Sequence, residues 1–191
     1  MGERDFRIVL DGGYHLALID SLDALKQAAH LPLLELGARA NAVREQAFGN
    51  RTYYSADPAP SLELALPTDP DLMAERLWAQ REAGFSSVEP RINPTAGETT
   101  GEAEIRALAL ARLIFPPSVH MRANWSALTD AIAQVALRFG ADELAGFPAD
   151  LDRREISRAI REAGREPYPC DATYAAVALA DAGPSLRVLP A

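Results

Sequence analysis

Residues 62–90 read LELALPTDPDLMAERLWAQREAGFSSVEP. LELAL (62–66) alternates loosely and predicts a strand. Asp69 and Pro70 open a helix that runs to Ala83, with proline in the first turn, where its missing N–H costs nothing. Gly84 ends the helix, and FSSVEP (85–90) predicts a second strand. Strands separated by a helix of this length pair in parallel through a right-handed crossover.

The same rhythm continues toward the C-terminus. RINPTAGETTGE (91–102) is a loop, and a helix over about 102–114 stops at Pro116 and Pro117. SVHMRA (118–123) predicts a strand, and 125–139 an amphipathic helix closed by Gly140. ADELAGF (141–147) is a short strand or turn. A helix from Asp152 to about Ala163 ends at Gly164. Toward the N-terminus, FRIVL (6–10) predicts a strand closed by Asp11, Gly12 and Gly13. Two helices follow, at about 21–30 and 32–47, divided at Pro32 and stopped by Gly49 and Asn50. Leu33, Leu34, Leu36, Ala40 and Val43 share most of one face of the second; Arg39 and Arg44 are expected on a solvated one.

The fold class is therefore α/β, in one domain over 1–191. A strand and helices occupy 1–54, a junction 55–61, the alternating section 62–147, and a C-terminal extension 148–191. The net charge of −8 argues against nonspecific nucleic-acid binding, which runs on basic surface. No apolar run is long enough to cross a bilayer, and MGERDFRIVL lacks a signal peptide's apolar core, so a cytoplasmic protein with no membrane partner is expected. One cysteine, Cys170, excludes an internal disulfide and any metal or cluster site needing two or more thiolates from one chain.

Three stretches carry a resemblance: LLELGARANAVREQAFGNRTYY (33–54), IRALALARLIFPPSVHMRANWSALTDAIAQVALRFGADELAGF (105–147) and REISRAIREAGREPYPCDATY (154–174). They resemble radical S-adenosylmethionine enzymes of menaquinone (futalosine pathway) and deazaflavin biosynthesis, nearest the aminofutalosine synthases. The resemblance implies a (β/α) barrel. After the equivalent of Tyr54, those enzymes place a C-x-x-x-C-x-x-C loop whose thiolates hold a four-iron cluster, with the fourth iron open to S-adenosylmethionine. Here SADPAP (55–60) stands in its place. The resemblance thus implies a partial barrel remnant with N-terminal helices and a C-terminal helical extension. In that reading 62–90 supplies the sixth strand, sixth helix and seventh strand, SVHMRA is the eighth strand, and the first five strands are missing. No cluster and no bound S-adenosylmethionine are expected.

Five residues are candidate ligand contacts. Asn124 and Trp125 follow the strand SVHMRA at its C-terminal end, where barrels carry their sites; a capping Asn and a core-edge Trp are the plainer alternative. Asp142, with Glu143 beside it, is a carboxylate pair capable of acid–base work, although a helix-terminal turn accounts for both. Asp171 and Tyr174 match the family's terminal motif, whereas Cys170 replaces an expected arginine and Phe147 an expected hydroxyl residue. His120 has no companions at ligand spacing and is read as a structural histidine. A helix cap accounts for ETTGE (98–102). No catalytic or metal-binding residue is assigned.

A partial barrel exposes two sheet edges and an inner face. The expected function is a non-catalytic accessory or interaction subunit. It would self-associate as a homo-oligomer or dock on a full-length radical S-adenosylmethionine relative. The alternative is a binding protein for a futalosine-like or nucleoside small molecule; an enzyme with non-radical chemistry ranks third.

Overall fold

The computed structural model describes residues 18–55, 57–93 and 101–177. The strand expected at FRIVL, most of ETTGE, and SLRVLP (185–190) near the end of the C-terminal extension lie outside them. Among the described residues, six helices and six strands follow one another as α1 (Leu22–Ala29), α2 (Leu33–Phe48), β1 (Arg51–Tyr54), β2 (Leu62–Leu66), α3 (Pro70–Gln80), β3 (Ser87–Ile92), α4 (Glu102–Ile114), β4 (His120–Asn124), α5 (Asp130–Ala136), β5 (Glu143–Ala145), α6 (Arg153–Glu162) and β6 (Glu166–Pro169). The strands form one sheet, ordered β2-β3-β4-β5-β1-β6, with every ladder parallel. This is the α/β partial barrel expected from the sequence.

Two expectations about its strands are corrected. RTYY is not merely the lead-in to a lost loop: it is β1, and it pairs with β5 on one side and β6 on the other. In a closed eight-stranded barrel the strand beside the first is the last. β5 therefore takes the last position and β4 the one before it, so SVHMRA is not the eighth strand. Counted this way, β2 to β5 hold the fifth to eighth positions and the first is retained. β6, which no pattern in EPYP announced, occupies the free side of β1 and gives six strands where three or four were expected.

Local chemistry explains the element boundaries. Asp69 caps α3 by accepting from the Leu72 N–H, with Pro70 at the start of the helix. The helix expected over 125–139 is shorter. Asn124 Oδ1 accepts from Ala127 N and Thr129 accepts from Ile132 N, so 125–129 is a turn and α5 starts at Asp130. Asp152 and Glu155 close a reciprocal capping box at α6.

The core lies between the helices and one face of the sheet. Leu64, Leu66, Val88, Met121, Ala123 and Leu144 point into it, against Leu25, Leu36, Met73, Leu77, Leu108 and Leu137. Leu34, expected on the apolar face of α2, is 80% exposed. Gly37 lets α2 approach the Phe139 ring, which a Cβ would strike. Arg44, expected in solvent, is fully buried; both its terminal nitrogens donate to Gly49 O, and burial lowers its pKa to about 10.

Candidate functional site

The opposite face of the sheet is polar. Register places Glu63 beside Glu89, Arg122 beside Glu143, Glu143 beside Tyr53, and Tyr53 beside Tyr168. In strands, side chains two apart share a face, so Ser87, Glu89 and Arg91 lie together, as do His120, Arg122 and Asn124. Glu143 is the hub. Its Oε1 accepts from Arg122 Nη2 at 2.7 Å, and its Oε2 from Ser87 Oγ at 2.8 Å and Tyr174 OH at 3.0 Å. Arg122 also donates to Ser61 Oγ and to Ala59 O, so the junction itself covers part of this face. Burial opposes the Arg122 charge, yet the bond to Glu143 leaves its pKa above the ordinary guanidinium value. Arg122 Nε is buried with no hydrogen-bond partner.

At the N-terminal end of the strands, Asp142 is fully buried. It accepts from Arg112, from Met121 N at 2.9 Å, and from His120 Nδ1 at 2.5 Å. The His120 ring stacks on Tyr174 at 3.7 Å and on Phe48 at 4.6 Å. His120 is thus a buried, hydrogen-bonded residue. Asp142 is not in a turn; it ties α4 to the base of the sheet, and of the other candidates it meets Tyr174 only through the His120 ring.

At the C-terminal end, β1, β5 and β6 open into a cleft of about 630 Å³. Its walls are Tyr54, Phe147, Pro148, Leu151, Ile156 and Val177, with Asp57, Arg153 and Asp171 at polar positions. Of the five sequence candidates, only Asp171 lines it. Its Oδ1 accepts from Thr173 N, Thr173 Oγ1 and Ala175 N, and the two Thr173 bonds lead in holding its pKa below the usual carboxylate range. Asn124 and Trp125 do not line the cleft and lie against two residues that do, Gly146 and Phe147. Asn124 caps its turn, and Trp125 packs on Phe147 with ring centroids 5.5 Å apart. Gly146, at φ +70°, gives Asn124 the space that a Cβ would fill. Tyr174 sits on the polar face, where burial and then the Glu143 charge push its phenol pKa well up.

Asp57 and Arg153 belong to no motif, so the sequence alone gives no signal for their place in the cleft. The polar row was legible, since S-x-E-x-R in β3 and H-x-R-x-N in β4 alternate with apolar residues.

The Cys170 thiol is buried and donates to Tyr54 O at 3.7 Å; burial, with Glu143 nearby, pushes its pKa up to about 11. A single thiol of this character does not make a three-thiolate set, so these 191 residues do not fit a cluster of that type. Among the described residues no group of three metal-ligating side chains stands together. Nor is any described helix long and apolar enough to cross a membrane.

The sheet order, the all-parallel ladders and the cleft at the strand C-termini define part of a (β/α) barrel. Methylornithine synthase (PylB), a radical S-adenosylmethionine enzyme, superposes with a TM-score of 0.58 at 13% identity, covering 81% of this chain and 95% of that one. Over 97 residues, 44% of the chain, the sequence is 35% identical to the aminodeoxyfutalosine synthase of Thermus thermophilus. The chain is a partial homologue of that enzyme, and the match spans 26% of the enzyme's length. No family model matches.

Proposed function

We propose that the chain is a non-catalytic relative of aminodeoxyfutalosine synthase that binds a nucleoside-type small molecule in the cleft at the C-terminal ends of β1, β5 and β6. The observation that carries this reading is the cleft itself. At about 630 Å³ it has the volume of a small-molecule site, and it lies at the end of the sheet where barrel proteins bind ligands. Apolar walls suit a base, while the Asp171 and Asp57 carboxylates and Arg153 suit hydroxyl and anionic groups. The non-catalytic part rests on the donor set: a four-iron cluster of the family's type needs three thiolates, and the chain has one cysteine.

Calorimetric titration with aminodeoxyfutalosine tests the reading. Saturable one-to-one binding is expected, weakened at least about tenfold by Leu151→Arg, which fills the cleft. No heat and no perturbed amide resonances at about 1 mM ligand would rule out this class of ligand.

A second reading, an accessory subunit, is favoured by a different observation. β2 is the last strand of the sheet, and among the described residues its outer side pairs with nothing. Such an edge accepts a strand from a second copy or from a full-length relative.

A further inference from the structure

After β6 the chain turns back on itself as a strap, residues 170–177. Cys170 N donates to Tyr54 O, Asp171 N to Ala175 O and Val177 N to Pro169 O, and Cys170 forms an antiparallel bridge with Ala176. The strap has two sides. Cys170, Asp171, Ala172 and Val177 form one wall of the cleft. Tyr174 points the other way, onto the polar face of the sheet.

Between 171 and 177, Tyr174 is the one side chain that is not exposed. Its hydroxyl donates to Glu143 Oε2, and its ring lies nearly parallel to His120 with an interplanar angle of 13°. Its ring also meets Tyr53 edge-on at 5.9 Å. To reach this seat its backbone takes φ +63°, a left-handed conformation that costs a residue with a Cβ energy. Such a conformation persists where the surroundings hold it in place. The rest of the strap is held at its start by buried Cys170 on Tyr54 O and within its exposed turn by backbone bonds and the three bonds Asp171 Oδ1 accepts; none of these contacts ties 171–176 to the sheet.

We infer that Tyr174 is a latch, and that its docking on Glu143 and His120 fixes the 170–177 strap as a wall of the cleft. Undocking frees Asp171, Ala172 and Val177 together, because they lie on one short loop on either side of the anchor. Opening of this kind is local: β4 and β5 keep their ladders, and Glu143 keeps its bonds to Arg122 and Ser87. The inference stands on contacts within the chain. Only its consequence, a preformed wall for a bound molecule, rests on the binding function proposed for the cleft.

Hydrogen exchange on the whole chain, read by mass spectrometry, separates the possibilities. In Tyr174→Ala, amides of 170–177 are expected to exchange at least about tenfold faster, with peptides over β4 and β5 unchanged. Tyr174→Phe keeps the ring stack and loses the hydroxyl bond, so a smaller increase confined to the strap is expected, in a protein that still folds. Wild-type strap exchange in Tyr174→Ala overturns the inference. Equal acceleration of strap and sheet overturns it too, since that describes a residue supporting the whole fold. In a parallel arm with added aminodeoxyfutalosine, slower strap exchange in the wild type supports both the latch and the cleft's role. If that compound has no effect while Tyr174→Ala still acts locally, the binding proposal fails and the latch stands.

Discussion

At the scale of single residues, the polar face is held by charge pairing in a dry setting. Arg122 and Glu143 are 5% and 1% exposed and 2.7 Å apart. A buried pair of this kind adds little net stability, because both charges lose their water, but removing one partner strands the other. Arg122→Met is therefore expected to cost about 3–5 kcal/mol in urea unfolding, and Glu143→Leu a similar amount. The double variant should cost clearly less than the sum, a coupling that a double-mutant cycle measures directly. Additive losses would show that the two side chains act independently.

Cys170 sits at the cleft margin but behaves as a core residue. Its folded pKa is raised to about 11. A raised value means that the neutral thiol's contribution to stability is fully present below the unfolded pKa and is lost as pH rises through the folded one. Here that window runs from about 8.5, the usual value for a free thiol, up to about 11. Iodoacetamide at pH 8 should therefore modify the native chain about a hundredfold more slowly than free cysteine, with the rate recovering in denaturant. Rapid labelling of the native chain would place the thiol in an exposed or activated setting and contradict the contacts described.

At the scale of elements, α6 carries its N-terminal cap in its own sequence. Its capping box satisfies backbone donors at both Asp152 and the third turn position, and Leu151 and Ile156 beside the cap line the cleft. Asp152→Ala should lower stability by about 1 kcal/mol, or about 2–4 °C in melting temperature for a chain of this size. Differential scanning calorimetry checks this; an unchanged melting temperature would mean the cap is redundant.

Elements of this kind were legible in the sequence because their signals are local. Asp69, Pro70, Asp152 and Gly164 mark helix ends by hydrogen-bond and backbone chemistry that no distant contact needs to complete. Strand membership was harder. RTYY and EPYP are four residues each, and their pairing with one another depends on partners more than a hundred positions apart. EPYP carries two prolines, which suit an edge strand and not the centre of a sheet. The site was less legible than the fold. Asp142 looked like a turn carboxylate because the sequence does not show that Arg112 and His120 converge on it. The cleft is built by loops that follow three separate strands, and a single chain pattern does not announce that they meet.

At the scale of the molecule, the two edges of the sheet differ. The β6 edge has Pro167 and Pro169, and the strap folds back on it through the Val177 N to Pro169 O bond. Prolines and a covering loop are devices that keep an edge from pairing with other chains. At the β2 edge the exposed residues are Glu63 and Ala65, and the described residues provide no such cover. If association occurs through strand addition, it should use β2. Light scattering after size-exclusion chromatography is expected to show either the chain alone above the 20.6 kDa of one copy, or, on mixing, a complex heavier than a full-length aminodeoxyfutalosine synthase by itself. Ala65→Pro removes a backbone donor from this edge strand and should abolish the association while leaving ligand binding in the cleft intact, since β2 contributes nothing to its walls. A mass of 20.6 kDa for the chain alone, with no species heavier than the synthase by itself in the mixture, removes the accessory reading and leaves the cleft to carry the function. An association that survives Ala65→Pro places the contact on another surface, and the uncapped edge then has no part in it.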